Sequence, residues 1–254
     1  MHHKNSNMRQ KTSDTIYGIR PLIEAINSGK EIDKVIIKKG LGGELIHELL
    51  TLLRNRGIAP QYVPAEKFGK YGNRNHQGVI AYISPVDFAP IEEVVARVWE
   101  RGETPFIVIL DSVTDVRNFG AIVRSAECAG AHAIVFPTKG SARIGADAVK
   151  TSAGAIHHIP ICRVNSLKST LSFLQLSGVK IAAATEKTEN LYTNAKLDGP
   201  IAVVMGSEEK GLSESTLKMA DELVAIPIKG KINSLNVSVA SALIMYEVIR
   251  QRGL

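Results

Sequence analysis

The sequence predicts an α/β protein in which a small α/β domain precedes a larger domain built on a parallel sheet. From Phe106 onward, short apolar runs alternate with segments of helical periodicity, which is typical of parallel strands covered by helices on both faces. The first third of the chain has its own shorter series of helices and strands. Residues 85–90, with two prolines at their ends, are the predicted linker between the two.

The elements of the small domain follow from periodicity and from turn residues. Ile19, Leu22, Ile23 and Ile26 recur at helical spacing, so a helix is predicted there. Glycine and lysine-rich turns bound the later segments. The predicted elements are helices at 18–27 and 44–56 and strands at 35–37, 59–63 and 79–83.

The larger domain, residues 91–254, begins with an amphipathic stretch at 91–99 and then alternates regularly. Its strands are short, continuous apolar runs, and its helices show apolar residues on one face. The predicted strands are 107–110, 133–136, 181–184 and 201–205, and the predicted helices are 120–129, 167–176, 213–220 and 237–250.

Composition narrows the class of protein. The chain has 254 residues, of which 44% are apolar, so it can bury an ordinary core. No apolar run approaches the roughly 20 residues that a membrane span needs. Residues 1–14 are polar and lack the apolar core of a signal peptide, which predicts a disordered tail on a cytoplasmic protein. The two cysteines show no CxxC or Cys/His spacing, so neither a disulfide nor a metal site is expected.

The positive charge is confined to one part of the chain. Residues 1–84 contain 13 Lys/Arg and 7 Asp/Glu, whereas residues 85–254 contain 18 of each. A basic small domain beside a neutral large one suits a division between polyanion capture and chemistry. A net charge of this size also serves solubility alone, and charge by itself does not decide between the two.

Common phosphate-binding sites are disfavoured. The strand at 107–110 is followed by a segment that lacks G-x-G-x-x-G, and residues 206–211 lack the G-K-[ST] ending of a P-loop. Residues 140–145 have the glycine spacing of a P-loop but continue as Ala146-Asp147. Dinucleotide and nucleoside-triphosphate binding are therefore not expected.

Three other segments combine shape-setting Gly or Pro with polar side chains. The first, Asn118-Phe-Gly-Ala-Ile-Val-Arg124, opens a predicted helix, with Asn118 placed to cap it. Arg124 stands on a small, apolar helix surface, where an arginine needs an anionic partner. A substrate phosphate and a structural ion pair, for example with Glu208, are both compatible with that position.

The second and third segments lie near the carboxyl ends of predicted strands, where open α/β sheets bind ligands. The second is Met205-Gly-Ser-Glu-Glu-Lys-Gly211, in which Gly206 admits a close approach and Glu208 lies at the rim. The third runs from Ile226-Pro-Ile228 through a basic loop to Ser234-Leu-Asn-Val-Ser238. A plain strand-to-helix turn and helix capping by Ser234 or Asn236 are the structural alternatives.

In this order and spacing, the three segments resemble the signature motifs of the SpoU/TrmH family of RNA ribose 2′-O-methyltransferases. The resemblance extends to the N-terminal region, where Asn75-His-Gln-Gly78 is similar to the branch that methylates a guanosine of large-subunit ribosomal RNA. It implies a knotted (trefoil) SPOUT-type methyltransferase domain after a ribosomal-protein-like RNA-binding domain at residues 15–84. Periodicity shows no knot, and general topology rules disfavour one.

The resemblance also implies a site. S-adenosylmethionine, the methyl donor, is expected to contact the backbone at Gly206, Ile226 and Leu235, with Thr185 at a neighbouring strand end. No metal is required. The family's catalytic set corresponds to five residues that all have the expected type: Asn118, Arg124, Glu208, Ser234 and Asn236.

The resemblance further implies a homodimer that binds ribosomal RNA. Val116-Arg117 departs from the Pro-His that this branch often has before Asn118, which bears on the RNA target more than on the reaction. Two alternatives stay open: a transfer-RNA ribose methyltransferase, and a non-catalytic RNA-binding protein of ribosome assembly.

Overall fold

The computed structural model describes residues 15–72, 74–207 and 211–253. The predicted tail, residues 1–14, and Glu208 lie outside the described residues. The chain divides into two compact units, and the boundary between them in the sequence falls between Pro85 and Val86. Within the predicted linker, Val86 is buried in the core of the second unit, and the Ala89 backbone N–H donates to the Ile161 carbonyl. The predicted domain boundaries otherwise stay a prediction.

The described part of the first unit is an α/β domain, as predicted. Its elements are β1 (Thr15–Tyr17), α1 (Ile19–Asn27), β2 (Ile32–Lys38), α2 (Glu44–Asn55), β3 (Gln61–Val63), a 3₁₀ segment (Ala65–Tyr71) and β4 (Val79–Ile83). The strands form one sheet in the order β1-β4-β2-β3. β4 is antiparallel to β1 and β2, and β3 is parallel to β2.

The two faces of this sheet differ in what covers them. On one face Val35, Ile37 and Val79 pack against α1 and α2, through the apolar stripe that predicted both helices. On the other face, Ile36 and Ile80 form a small cluster with Phe68 of the 3₁₀ segment. The sequence prediction missed β1, because a run of three residues carries too little periodicity. It also missed this 3₁₀ segment of seven residues, which has neither the apolar spacing of an α-helix nor the alternation of a strand.

The second unit contains the larger sheet. Its elements are α3 (Ile91–Glu100), β5 (Phe106–Asp111), α4 (Val116–Cys128), β6 (Ala133–Pro137), α5 (Ala146–Thr151), a 3₁₀ segment (Ala155–His157), β7 (Ile161–Val164), α6 (Leu167–Leu176), β8 (Lys180–Ala184), β9 (Ile201–Gly206), α7 (Glu214–Met219), β10 (Glu222–Val224) and α8 (Val237–Gln251). None of the helices in the described part of the chain combines the length and apolar character needed to cross a bilayer.

All neighbouring strands of this sheet are parallel, in the order β10-β8-β9-β5-β6-β7. One core cluster joins the sheet to residues of α4, α5 and α8, and a second joins it to residues of α3, α6 and α7. The prediction of a parallel sheet covered on both faces is confirmed. The sequence prediction missed α5, β7 and β10, which are short. The trefoil knot stays a prediction.

Arg252, one residue after α8, ties the end of that helix to the sheet. Its Nη2 donates to the carbonyls of Pro105 at 2.9 Å and Gly199 at 2.8 Å, and its Nη1 donates to Thr104 at 3.2 Å. The guanidinium lies over the Phe106 ring, with 5.4 Å to the centroid. Burial lowers the pKa of Arg252 from its ordinary value.

We expect Arg252→Ala to lower the free energy of unfolding by about 2–4 kcal/mol, because charged hydrogen bonds to backbone carbonyls are lost together. Arg101, exposed at the end of α3, supplies the control Arg101→Ala, for which little change is expected. Urea unfolding of both variants measures the difference. Equal stability of the two variants would contradict the role assigned to Arg252.

His132, just before β6, couples stability to pH. Its Nδ1 accepts the Phe106 N–H at 3.0 Å, and its Nε2 lies 3.1 Å from Glu103. Burial lowers the pKa of His132, with Glu103 opposing the shift. The unfolded state therefore takes up a proton before the folded state does, so this contribution to stability is present above the ordinary histidine pKa and is lost as pH falls.

We expect the free energy of unfolding to fall between about pH 7.5 and about pH 5.5, and His132→Gln to reduce that dependence. The glutamine Oε1 can still accept the Phe106 N–H but cannot be protonated in this range. Urea unfolding of both proteins at the two pH values measures the pH dependence of the free energy of unfolding. An unchanged pH dependence in His132→Gln would show that another group is responsible.

Candidate functional site

A cavity of about 470 Å³ opens at the carboxyl ends of β8, β9 and β10. The segment at 233–235, just before α8, also lines the cavity. Ala184 and Val224 are paired neighbours at the ends of β8 and β10, so their strands deliver the following residues to the same edge. The lining residues are Ala184, Thr185, Glu186, Met205, Gly206, Ser207, Gly211, Val224, Ile226, Ile228, Asn233, Ser234, Leu235, Val237 and Ala240.

This cavity brings together residues that are far apart in the sequence. All four positions predicted to bind the methyl donor line it, namely Thr185, Gly206, Ile226 and Leu235, and so does Ser234. The walls are mainly apolar, while Thr185, Glu186, Ser207, Asn233 and Ser234 add polar atoms. Such a combination is typical of small-molecule sites.

Gly206 is required by its own loop. The Ser207 and Gly211 backbones exchange two hydrogen bonds, of 3.2 and 3.0 Å, which hold these two residues side by side. A Cβ at Gly206 would lie 2.4 Å from the carbonyl carbon of Gly211 and 2.6 Å from the Leu212 nitrogen. Glycine is therefore needed here for a close backbone contact within the protein, whether or not a ligand is bound.

The start of α4 differs from the prediction. Asp115, rather than Asn118, is the N-cap, and its Oδ1 accepts the backbone N–H groups of Arg117 at 2.7 Å and Asn118 at 3.0 Å. These hydrogen bonds lower the pKa of Asp115. The prediction that Asn118 caps the helix was wrong, because the helix begins at Val116 and the carboxylate before it takes that role.

Asn118 lies instead in the first turn of α4 and faces the start of α8. Its Oδ1 accepts a hydrogen bond of 3.0 Å from Nδ2 of Asn236. Asn236 is the N-cap of α8, as one of the two predicted candidates, and its Oδ1 accepts the Ser238 N–H at 2.9 Å. The amide of Asn236 thus caps one helix and links it to another.

Arg124 lies two turns along α4, on the exposed side of the helix. The buried side carries Phe119, Ile122, Val123 and Ala126. Arg124 is exposed and is not part of the cavity lining. Within residues 15–72, 74–207 and 211–253, no carboxylate forms an ion pair with Arg124. Glu208 lies outside these residues, so the predicted pairing of Arg124 with Glu208 stays a prediction. The structure therefore brings Asn118 and Asn236 together but does not join Arg124 to the cavity of its own chain.

Two features of the site were missed by sequence reasoning. Asp111, buried at the end of β5, accepts hydrogen bonds on Oδ2 from the Ser213 N–H at 3.0 Å and the Thr216 hydroxyl at 2.8 Å. It thereby fixes the segment after Gly211. The sequence did contain a signal for this residue, because Asp111 is a carboxylate that directly follows an apolar run at 106–110.

The second missed feature is the contact between Gly120 and α5. A Cβ there would lie 1.9 Å from the Thr151 Oγ1, so α4 and α5 touch through this glycine. The Thr151 hydroxyl also donates to the Val116 carbonyl at 3.2 Å. The glycine of the first segment thus sets the position of α4, which carries both Asn118 and Arg124.

Comparisons with known proteins identify the family. The SpoU rRNA Methylase family matches residues 105–246, and the family described as RNA 2′-O ribose methyltransferase substrate binding matches residues 15–89. A Bacillus subtilis protein named for the TrmH family of tRNA/rRNA methyltransferases is 34% identical over 94% of this chain and 96% of its own length. A Staphylococcus aureus protein named in the same way is 35% identical over 93% of this chain and 96% of its own.

Solved structures are similar in fold. The crystal structure of an RNA 2′-O ribose methyltransferase, 27% identical, has a TM-score of 0.56 and covers 94% of this chain and 89% of its own. The S-adenosylmethionine-bound rRNA methyltransferase of Sinorhizobium meliloti, 23% identical, has a TM-score of 0.60 over 93% of this chain and 86% of its own. With the methylase family matching more than half of the residues, and relatives of this identity matching nearly the whole length, the chain belongs to the SpoU/TrmH family of RNA 2′-O-ribose methyltransferases.

Proposed function

We propose that the protein transfers a methyl group from S-adenosylmethionine to a ribose 2′-hydroxyl of large-subunit ribosomal RNA, on a guanosine. The observation that carries this proposal is the convergence of the three sequence segments. The second and third form the cavity, and the first is linked to the third by the hydrogen bond from Asn236 to Asn118. The basic first unit supports a large RNA as the substrate.

The residues of the cavity fit S-adenosylmethionine. The volume of about 470 Å³ lies within the range of small-molecule sites. Apolar side chains of Ile226 and Leu235 can pack against an adenine, while strand-end backbone groups and the polar side chains can hold the ribose and amino-acid ends. When bound, this donor supplies an electrophilic methyl group on a sulfonium.

The protein must present the 2′-hydroxyl to the methyl group and let the hydroxyl proton leave. The hydroxyl oxygen forms the new bond to the methyl carbon as the carbon–sulfur bond breaks, and the hydroxyl proton leaves as attack proceeds. We assign Arg124 to orient the hydroxyl and the neighbouring phosphate through its planar fork, with Glu208 fixing the guanidinium. The proton passes to water, because a guanidinium that binds the phosphate already carries all of its protons. Ser234 binds near the reacting ribose, and Asn118 with Asn236 positions substrate and loop.

A homodimer is part of the proposal. Val239, Leu243 and Tyr246 follow one another at i, i+4, i+7 along α8 and are 39–53% exposed. With Tyr192 and Ala242 they line an open apolar groove. An apolar helix stripe of this kind suits a second copy of the chain. In such a dimer, Arg124 of one protomer would act at the cavity of its partner. This arrangement would explain why Arg124 lies outside the cavity of its own chain.

The loop geometry predicts the effect of a small change at Gly206. We expect Gly206→Ala to push the Gly211 backbone away from residue 206, to lower stability by about 1–3 kcal/mol, and to weaken S-adenosylmethionine binding by at least about tenfold. Gly199→Ala is the control, because a Cβ at Gly199 meets nothing within 4 Å. Thermal unfolding and calorimetric titration measure both effects. Normal donor affinity in Gly206→Ala would contradict the site.

Methyl transfer in vitro tests the function. The protein is incubated with S-adenosylmethionine carrying a labelled methyl group and with large-subunit ribosomal RNA, small-subunit ribosomal RNA or transfer RNA. We expect label in large-subunit RNA, in a nucleotide whose 3′ linkage resists alkali because its 2′-hydroxyl is blocked. Label in transfer RNA alone would favour the second substrate class, and no label in any RNA would favour a non-catalytic role.

A further inference from the structure

The first unit carries a surface that its helices leave uncovered. Residues directly paired across strands point to the same face of a sheet. Tyr17 pairs with Ile80 and Ile80 with Ile36, both isoleucines of the small cluster, so Tyr17 lies on the face away from α1 and α2. Tyr82 pairs with Lys34 on the same face. The 3₁₀ segment packs on this face, and His76, beyond it, stacks on the Phe68 ring at 4.8 Å.

Three tyrosines form a connected group on that face, which we name the tyrosine face: Tyr17, Tyr71 and Tyr82 with Lys34, Lys70 and Arg74. The Tyr71 and Tyr82 hydroxyls are 2.8 Å apart, and the Tyr17 and Tyr71 rings meet edge to face at 6.4 Å. The three rings are half-buried, so each is held in place and still reaches the surface.

Cations are fixed on these rings. The Arg74 guanidinium lies 4.7 Å from the centroid of the Tyr17 ring, and its Nη1 also donates to the Tyr17 hydroxyl. The Lys70 ammonium lies 4.9 Å from the centroid of the Tyr71 ring. Both side chains are otherwise exposed, and Lys34 is exposed beside Tyr82. The tyrosine face thus combines flat aromatic and guanidinium surfaces with positive charge.

We propose that the tyrosine face binds unpaired nucleotides of the RNA substrate. Unpaired bases stack on aromatic rings and on guanidinium planes, while neighbouring phosphates bind lysine and arginine. Bases within a duplex are stacked on each other and cannot use such a surface. Residues 15–85 carry ten Lys/Arg and six Asp/Glu, which complements a polyanion. The inference rests on the proposed function, since it names the part of the RNA that the first unit holds.

The chain offers matched controls for a test. Tyr62 is 49% exposed on the same sheet, but it pairs with Ile37 and therefore lies on the face that the helices cover. Arg54 is exposed near the end of α2. Tyr17→Leu and Arg74→Lys remove the stacking surfaces while keeping apolar volume and charge, respectively. Tyr62→Leu and Arg54→Lys are the corresponding controls.

The probe is a fluorescent single-stranded RNA of about 12 nucleotides, compared with the same RNA annealed to its complement. We expect Tyr17→Leu and Arg74→Lys, in the full chain, to bind the single strand about tenfold or more weakly and the duplex nearly normally. Arg74→Gln should in addition reduce the slope of log affinity against log salt by about 0.7. Tyr62→Leu and Arg54→Lys should bind both RNAs as the unchanged protein does.

Two results would overturn the inference: single-strand affinity in Arg74→Lys equal to that in Arg54→Lys, or equal losses for single strand and duplex. If Tyr17→Leu does not fold, the Arg74 variants still test the inference, because Arg74 is exposed and its replacement should not disturb the core. Full RNA affinity in all variants would instead favour a protein partner for this face. Methyl transfer by the unchanged protein is measured in parallel: its failure would contradict the proposed function, while the RNA affinities alone decide the inference.

Discussion

Arg124→Ala is expected to lower methyl transfer by about 100-fold or more, because it removes the group that orients the 2′-hydroxyl and its phosphate and stabilises charge as the proton leaves. S-adenosylmethionine affinity and the melting temperature should stay near those of the unchanged protein, since Arg124 is exposed and lies outside the cavity lining. Arg124→Lys should not restore activity, because an ammonium cannot reproduce the planar fork. Single-turnover methylation and calorimetric titration measure the two quantities.

Arg97→Ala is the matched control, because Arg97 is exposed on α3, a helix that packs on the opposite face of the sheet. It should methylate normally. If Arg124→Ala unfolds the protein, the residue is a structural ion-pair partner. If Arg124→Ala keeps its single-turnover rate, the proposed mechanism is wrong.

Asn236→Asp separates the two tasks of that residue. An aspartate can still cap α8, and its charge is favourable at a helix N-terminus, so stability should change by less than about 1 kcal/mol. It cannot donate to the Asn118 Oδ1, and the two oxygens would repel each other. We therefore expect methyl transfer to fall by about tenfold to 100-fold, an effect of the size seen when a positioning contact is lost.

The companion variant Asn118→Ala removes the other end of this hydrogen bond. If the bond is what matters, the double variant should be no slower than the slower single variant. Additive losses would show that the two asparagines act separately. A marked loss of stability in Asn236→Asp would return Asn236 to a purely structural role.

How much of the fold followed from the sequence depended on the length of each element. The helices α1, α2, α3, α6 and α8 and the strands β5, β6, β8 and β9 were predicted, because each has enough residues for its apolar spacing to be read. β1 and β10, with three residues each, were not, whereas β3, which is equally short, was predicted within the longer run 59–63. Their place in the sheets comes from pairing with distant strands, which periodicity does not report.

The site was predictable in its parts but not in its contacts. The motif positions Thr185, Gly206, Ile226 and Leu235 were named from the sequence, and all of them line one cavity. The capping of α4 was assigned to the wrong residue, because Asn118 and Asp115 are both good caps and only the helix start distinguishes them. Asp111 was missed because its partners, Ser213 and Thr216, are over 100 residues away in the chain.

The most direct test of the proposed activity is a map of ribose methylation in ribosomal RNA from cells with and without this gene. Loss of the gene should remove 2′-O-methylation from a guanosine of large-subunit ribosomal RNA, and expression of the unchanged protein, but not of Arg124→Ala, should restore it. Identical ribose methylation of ribosomal RNA in the two strains would contradict the proposal that this protein methylates large-subunit ribosomal RNA.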